Sequence, residues 1–454
     1  MTNRDSDAMR VLFLTSNLGF GHVAAAKAIG AGLRRLEPDT ECEVLDLWSL
    51  MDERVAGAVK DGYLRLTQNH PAWYQRLYDL DRGLLHQLSG RDPVDPGMRD
   101  FLDTQLRRWF PGEPPRLPLN RSQFDQALIR SLISLLCQKR PPLSQKIILR
   151  SLLVLMRATL VNRMQERVEA FDPHLVVATQ MYPAALWSSL REKDCFNAVP
   201  TVGVVTDYGL QSTWLQQSLD AYCVASPALA EQLVTSGIDS SRVHYTGMPL
   251  APSFASAPDT HAARHELGLD PDRPTVLVTG GLYGIGIARV IDDLLSCHPD
   301  HQVIVVCGHS KVLARRLEQR RRRFPHRLLC FRWVEDMAPL LAAADVVVGK
   351  PGGLSVSEAL ACGKPFFATC SLGGQERHNA DFVAQNGVGC HVAPDNLSRA
   401  LGDLFAHPER LTAMTGRAIA LGRRDGTARI SQLLMKLHEQ ALAGAYVNTK
   451  AETV

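Results

Sequence analysis

No apolar run in this 454-residue chain approaches the roughly 20 residues that a membrane span needs, so any contact with a bilayer is expected to be peripheral. No secretory leader is expected either. The polar start Met1 to Met9 runs straight into Val11-Leu12-Phe13-Leu14, and Asn17 soon interrupts the apolar stretch, which is the pattern of a buried strand. The ten cysteines form no C-x-x-C pair and no Cys/His group with zinc-ligand spacing. Reduced thiols in a cytoplasmic protein are the expectation. A formal net charge of +3 calls for no nucleic acid. There is no internal repeat and no long low-complexity tract. Two Asp-x-Asp pairs that could hold a divalent ion, Asp79/Asp81 and Asp270/Asp272, lie in a helical pattern and in a proline-containing loop. Neither stands at the end of a strand, so no metal is expected.

What remains is the composition of a globular protein, 45% hydrophobic and 21% charged, long enough for two domains. Short apolar runs alternate with amphipathic helical patterns. Val11–Thr15, Val44–Leu47, Leu175–Thr179, Thr201–Val205 and Tyr222–Ala225 read as one set of strands. Thr275–Thr279, Val303–Cys307, Leu328–Phe331, Val346–Gly349, Pro365–Thr369 and Gly389–Val392 read as a second. Such alternation predicts an α/β protein of two doubly wound, Rossmann-like domains facing a cleft, with ligands at the carboxyl ends of the strands. The Pro/Ser/Ala stretch Pro249 to Pro258 separates them. Domains are expected at 1–248 and 259–425, with a C-terminal helix and tail at 426–454. That helix, with Ile430, Leu433, Leu434 and Leu437 on its apolar face, is expected to return and brace the first domain. Residues about 84–164 break the alternation and read as a helical insert. It is rich in Arg130, Lys139, Arg140, Lys146, Arg150, Arg157 and Arg163, and either lies on an anionic membrane surface or packs as a hairpin on its own domain.

Five segments carry the chemistry. Asn17 to His22 follows the first strand, and a helix is expected from Val23. The free N–H groups at that helix end attract negative charge, Gly19 and Gly21 permit close approach, and His22 can accept a proton near neutral pH. Ala24 stands where the third glycine of a dinucleotide fingerprint would fall. Lys350 to Leu360 follows a strand of the second set. Its Gly352-Gly353-Leu354-Ser355 turn suits a diphosphate, and Glu358, expected in the first helical turn, suits a ribose diol. Gln375, Glu376 and Asn379 follow another strand end, where planar polar groups can read sugar hydroxyls. Gly280 to Gly286, with Gly281, forms a glycine-rich loop suited to a phosphate or an acceptor. Thr206-Asp207 with Trp214 ends a strand of the first set, where Asp207 could orient an acceptor or a catalytic histidine.

Together these segments resemble the diacylglycerol glycosyltransferases: monogalactosyldiacylglycerol synthases and processive diacylglycerol glucosyltransferases, related to the transferase that adds N-acetylglucosamine to lipid I. The most specific stretch is Lys350 to Glu358 followed by Gly374-Gln375-Glu376 and Asn379-Ala380. The resemblance implies a GT-B fold and an inverting transfer of a hexose from a UDP-sugar to a membrane lipid, most simply diacylglycerol. It implies catalysis by His22, with Asp207 orienting it, and Gly19, Gly21 and Trp214 on the acceptor side. It implies uracil bound along Phe331–Val334, ribose at Glu358, and the sugar and phosphates at Gln375-Glu376. The protein would work at the inner face of a membrane, gripping it through the basic insert. Three features depart from the family pattern: Gln211 stands at a usual histidine position, Leu282-Tyr283 replace smaller residues, and the insert is longer and richer in arginine. They leave the acceptor open. A UDP-sugar 2-epimerase and a non-catalytic nucleotide-sugar binder are the alternatives.

Overall fold

The computed structural model describes residues 8–17, 19–51, 53, 56–57, 160–191, 196–215, 218–256, 259–284, 286–298, 300–369 and 375–451, those after 444 by backbone alone. Most of the expected basic insert lies outside them. Its described end, 160–164, opens a helix that buries Leu160, Val161 and Met164 in the core of the first half, and Arg163 donates to the Leu50 carbonyl at 2.6 Å. Arg163 is therefore tied to its own domain rather than free to face a lipid surface.

Two six-stranded parallel sheets form the molecule. The first contains β1 (Arg10–Thr15), β2 (Glu41–Asp46), β3 (Leu175–Ala178), β4 (Thr201–Val204), β5 (Ala221–Val224) and β6 (Val243–Tyr245), in the order β2-β1-β3-β4-β5-β6. The second contains β7 (Thr275–Thr279), β8 (Gln302–Val306), β9 (Leu328–Phe331), β10 (Val346–Gly349), β11 (Phe366–Ala368) and β12 (Gly389–His391), in the order β12-β11-β10-β7-β8-β9. In each, the winding reverses once: between β1 and β3, and between β7 and β10. A crevice opens at such a reversal, beyond the carboxyl ends of the strands.

Successive side chains of a strand point to opposite faces, and here both faces are covered. In β1, Leu12 and Leu14 enter one core while Val11 and Phe13 enter the other. In β10, Val347 goes one way and Val346 and Val348 the other. This explains why the strands read as nearly unbroken apolar runs. The strands expected from sequence all form, with ends shifted by up to three residues. β6 was not anticipated, since its three half-buried residues carry no clear apolar pattern.

Four helices position the site. α1 (Phe20–Leu36) is alanine-rich, a strong helix former, and ends with Arg34 and Arg35 against its negative pole. It starts three residues earlier than expected, so Gly21 and His22 belong to its first turn and Gly19 is its N-cap. α2 (Gly353–Ala361), α3 (Gln375–Gln385) and α4 (Gly426–Ala451) belong to the second half of the chain. α4 crosses back onto the first sheet, burying Ile430 and Leu434 with Phe13 and Ile29. The crossing is tight: a Cβ on Gly32 would fall 2.5 Å from Ser431 Oγ and 2.7 Å from Thr427 Cγ2. No helix among the described residues is long and apolar enough to cross a membrane.

Candidate active site between the two sheets

His22 sits where the first sheet reverses. Its Nδ1 lies 2.8 Å from Thr206 Oγ1 at the end of β4 and 3.1 Å from the carbonyl of Thr179 at the end of β3. Thr179 Oγ1 in turn donates to the His22 carbonyl at 3.0 Å. Burial, countered by the Thr179 hydrogen bond and assisted by the nearby Lys350 charge, holds the imidazole pKa down at about 4. The ring is thus neutral at pH 7. The expectation that Asp207 orients His22 is corrected here: the hydrogen-bond partners of the ring are Thr206 and Thr179.

Asp207 instead faces α3. It is buried, and its Oδ1 accepts from Asn379 Nδ2 at 2.9 Å. Burial drives its pKa up to about 7, with the Asn379 bond and Lys350 opposing and Glu376 adding to the rise. Asn379 is fully buried. It also donates to the Pro351 carbonyl at 3.0 Å and accepts from the Tyr208 backbone N–H at 2.8 Å. An Asn379 so committed joins the two halves and has little left for a sugar hydroxyl.

The second sheet's reversal brings β7 and β10 together beneath Gly281 and Lys350, and the Lys350 N–H donates to the Thr279 carbonyl at 3.4 Å. Lys350 Nζ donates to the buried carboxyl of Glu376, and Lys350 Cε passes beside Gly281. Gln375 opens α3, with its Oε1 accepting from Gln211 Nε2 at 3.0 Å. The residue that departs from the family's histidine is therefore a partner of the proposed sugar-reading glutamine.

α2 differs from expectation in three ways. It starts at Gly353, two residues before Ser355, with Gly352 as N-cap. Glu358 consequently lies in the second turn rather than the first. Gly353, expected to approach a phosphate, instead approaches the first half of the chain: a Cβ there would fall 2.0 Å from the Thr206 carbonyl oxygen. Leu354 meets α1, 3.6 Å from a Cβ placed on Gly21, while a Cβ on Gly19 or Gly352 would strike no backbone. Glu358 is half-buried. Desolvation first, then the Asp336 charge, raises its pKa to about 8.

Trp214 is corrected from an acceptor contact to a core residue. It is buried with Tyr222 and Leu219, its ring close against Gly203. Phe331 and Val334 pack against the second core, and the Phe331 carbonyl accepts from Cys307 N at 3.0 Å. Between them, Trp333 reaches across. It stacks on His309 (centroids 4.8 Å apart) and meets Phe20 of α1 edge-on at 4.5 Å. Tyr208 makes a further bridge, its hydroxyl 2.8 Å from Ser357 Oγ and its ring stacked on Phe382 at 3.8 Å. Trp333 lies inside the Phe331–Val334 segment, Ser357 inside Lys350 to Leu360, and Tyr208 directly after Thr206-Asp207, but nothing in those segments marks these three as residues that span the two halves.

Two facing doubly wound sheets, with an imidazole at one reversal and a glycine-led helix at the other, make a fold of the GT-B type. The fold is shared with MurG from Acinetobacter baumannii, with a TM-score of 0.52 at 13% identity over 94% of this chain and 99% of that one. Two family models match: monogalactosyldiacylglycerol (MGDG) synthase over residues 127–250 and the glycosyltransferase family 28 C-terminal domain over residues 275–430. A processive diacylglycerol beta-glucosyltransferase of Staphylococcus haemolyticus is 32% identical over 58% of this chain and 68% of its own length. The enzyme of the same name from Staphylococcus carnosus is 33% identical over 48% of this chain and 55% of its own. The chain belongs to the diacylglycerol glycosyltransferase family, and it is an enzyme of the glycosyltransferase class.

Proposed function

We propose that this enzyme transfers a hexose from a UDP-sugar to diacylglycerol, with inversion at the anomeric carbon. The names of the matching family and relatives support the lipid and the hexose. The single observation that carries the mechanism is His22, a neutral imidazole pinned through Nδ1 at the crevice of one sheet and facing the helix that leads from the crevice of the other. An unprotonated nitrogen there can take the proton of an acceptor hydroxyl as its oxygen attacks the anomeric carbon. The bond from that carbon to the diphosphate breaks as the new bond forms, and UDP leaves.

The second half is the donor side in this reading. The N-terminus of α2 meets the diphosphate, whose growing charge falls to backbone N–H groups and the helix dipole rather than to a divalent ion. Glu358 takes the ribose, the Phe331–Val334 segment the uracil, and Gln375 and Glu376 the sugar. The acceptor arrives past Gly19 and Gly21, whose side-chain positions the protein's own backbone leaves clear. In this reading the enzyme works peripherally at the inner face of a membrane, with the basic insert as its contact.

Vesicles containing diacylglycerol, incubated with the protein and UDP-glucose or UDP-galactose, test the reading. A glycolipid identified by mass, with release of UDP, is expected. His22→Ala should lower turnover by at least about a hundredfold, the usual minimum for general-base catalysis. Release of UDP without glycolipid, or no turnover with any donor offered, would overturn the assignment.

A further inference from the structure

The ring of His22 can act as a base only if its proton is on the nitrogen facing away from the substrate, and the geometry around Nδ1 bears on that choice. We propose that Thr206 is a positioning residue that, with the Thr179 carbonyl, holds the His22 ring in the Nδ1–H form and leaves the Nε2 lone pair to the acceptor hydroxyl. This rests on the proposed role of His22 as the base.

Three short contacts close the arrangement. Nδ1 lies 2.8 Å from Thr206 Oγ1 and 3.1 Å from the Thr179 carbonyl, and Thr206 Oγ1 donates to that same carbonyl at 3.4 Å. A carbonyl only accepts. A ring nitrogen beside it is favoured when it carries the proton, and a bare nitrogen there would face a second lone pair. A hydroxyl alone leaves the tautomer undecided, since it can donate or accept. Once the Thr206 proton is directed at the Thr179 carbonyl, its lone pair faces Nδ1–H, and both threonines specify the same form. Among the described residues, Nε2 has no hydrogen-bond partner.

Thr206 is also well fixed. It is buried, it follows β4, and its carbonyl oxygen lies under Gly353 of α2, where a Cβ would come within 2.0 Å. The hydroxyl that orients the base is therefore set by how α2 seats on the first half. The choice of a neutral partner has a chemical consequence. A carboxylate in that place would stabilise the imidazolium and hold the proton after transfer, whereas a hydroxyl and a carbonyl fix direction without adding charge.

Thr206→Val keeps the shape and removes the hydroxyl; Thr206→Ser restores it. Misdirecting a catalytic group by a fraction of an ångström to 1 Å costs up to about a hundredfold, so the valine variant should lose about tenfold to a hundredfold in kcat, with donor KM changed by less than about twofold and the serine variant within about threefold of the parent. ¹⁵N NMR of the unaltered protein should show His22 protonated on Nδ1 at pH 7; the valine variant, which keeps the Thr179 carbonyl, should keep that tautomer but show broadened ring signals because the ring has lost its second anchor. A valine variant with parental kcat, a serine variant as impaired as valine, or an unaltered protein with the proton on Nε2 would each overturn the proposal. The NMR result decides it even if the valine variant fails to fold. Activity surviving in His22→Ala would instead remove the base itself, a separate failure from an active Thr206→Val beside an inactive His22→Ala.

Discussion

Asn379 and Asp207 lie 172 positions apart in the chain and are joined by a hydrogen bond of 2.9 Å inside the protein. One comes from α3 of the second half, the other from the loop after β4 of the first. With Tyr208–Ser357, Phe20–Trp333 and Gln211–Gln375, they form a seam of polar and aromatic contacts across the crevice. The seam fixes the distance between the imidazole on one side and the helix end on the other.

Asn379→Ala should weaken that seam sharply. It leaves the Asp207 carboxyl, the Pro351 carbonyl and the Tyr208 N–H without their partner in a buried place, and unsatisfied buried groups cost about 1–3 kcal/mol each. A loss of about 3 kcal/mol or more in denaturant unfolding is expected. A change below about 0.5 kcal/mol, typical of surface substitutions, would show that the seam is not closed in solution.

Asp207→Asn should change how stability depends on pH. The folded carboxyl holds its proton up to about pH 7, while the unfolded one releases it near its ordinary value of 3.8. Between those values the unfolded chain is the one that has lost the proton, so rising pH favours unfolding; above about 7 the effect is flat. The variant lacks this group but keeps an acceptor for Asn379. Its stability relative to the parent should therefore climb between about pH 4 and 7, by up to about 4 kcal/mol, then level off. Parallel stability curves for the two proteins over that range would contradict the raised pKa.

Binding of UDP should release protons through Glu358. Its free pKa is raised to about 8, and a ribose diol donating two hydrogen bonds favours the ionised form. Affinity should rise as pH goes from about 6 to 8. Calorimetry in buffers of different ionisation heat should show proton release near pH 7, and Glu358→Gln should abolish it. Release that persists in the variant would place the ribose elsewhere.

Gly353→Ala should push the two halves apart where they pack closely, since the added Cβ would lie 2.0 Å from the Thr206 carbonyl oxygen. Gly416→Ala, whose Cβ would meet nothing within 4 Å, serves as the control. Turnover in Gly353→Ala should fall about tenfold or more while the second half still binds UDP, because a misplacement near 1 Å at the reacting centre costs up to a hundredfold. Equal turnover in the two variants would show that this contact is not kept during catalysis.

Most of the fold was legible in the chain because strands of a doubly wound sheet, buried on both faces, read as short apolar runs whatever their neighbours. The family was legible because Lys350 to Glu358 and Gln375 to Asn379 must keep their spacing to sit at strand ends. Helix starts were less legible. The first turn of α1 holds Gly21 and His22, and glycine reads as a loop residue until packing fixes it. Trp214 misled for a related reason: an indole beside a marked aspartate reads equally as a ligand contact or as core, and only the space beside Gly203 distinguishes them.

The sequence by itself determined two parallel sheets, and an imidazole and a carboxyl beyond the carboxyl ends of the first sheet's strands. It did so because alternation and local spacing are properties of neighbouring residues. Which side chains meet across the crevice was decided only by the tertiary structure. Asp207 turned to Asn379 rather than His22, Thr206 took the histidine, and Gly353 met the opposite half rather than open space. Those partners are separated by up to 184 positions, and nothing local in the chain records a distance between them.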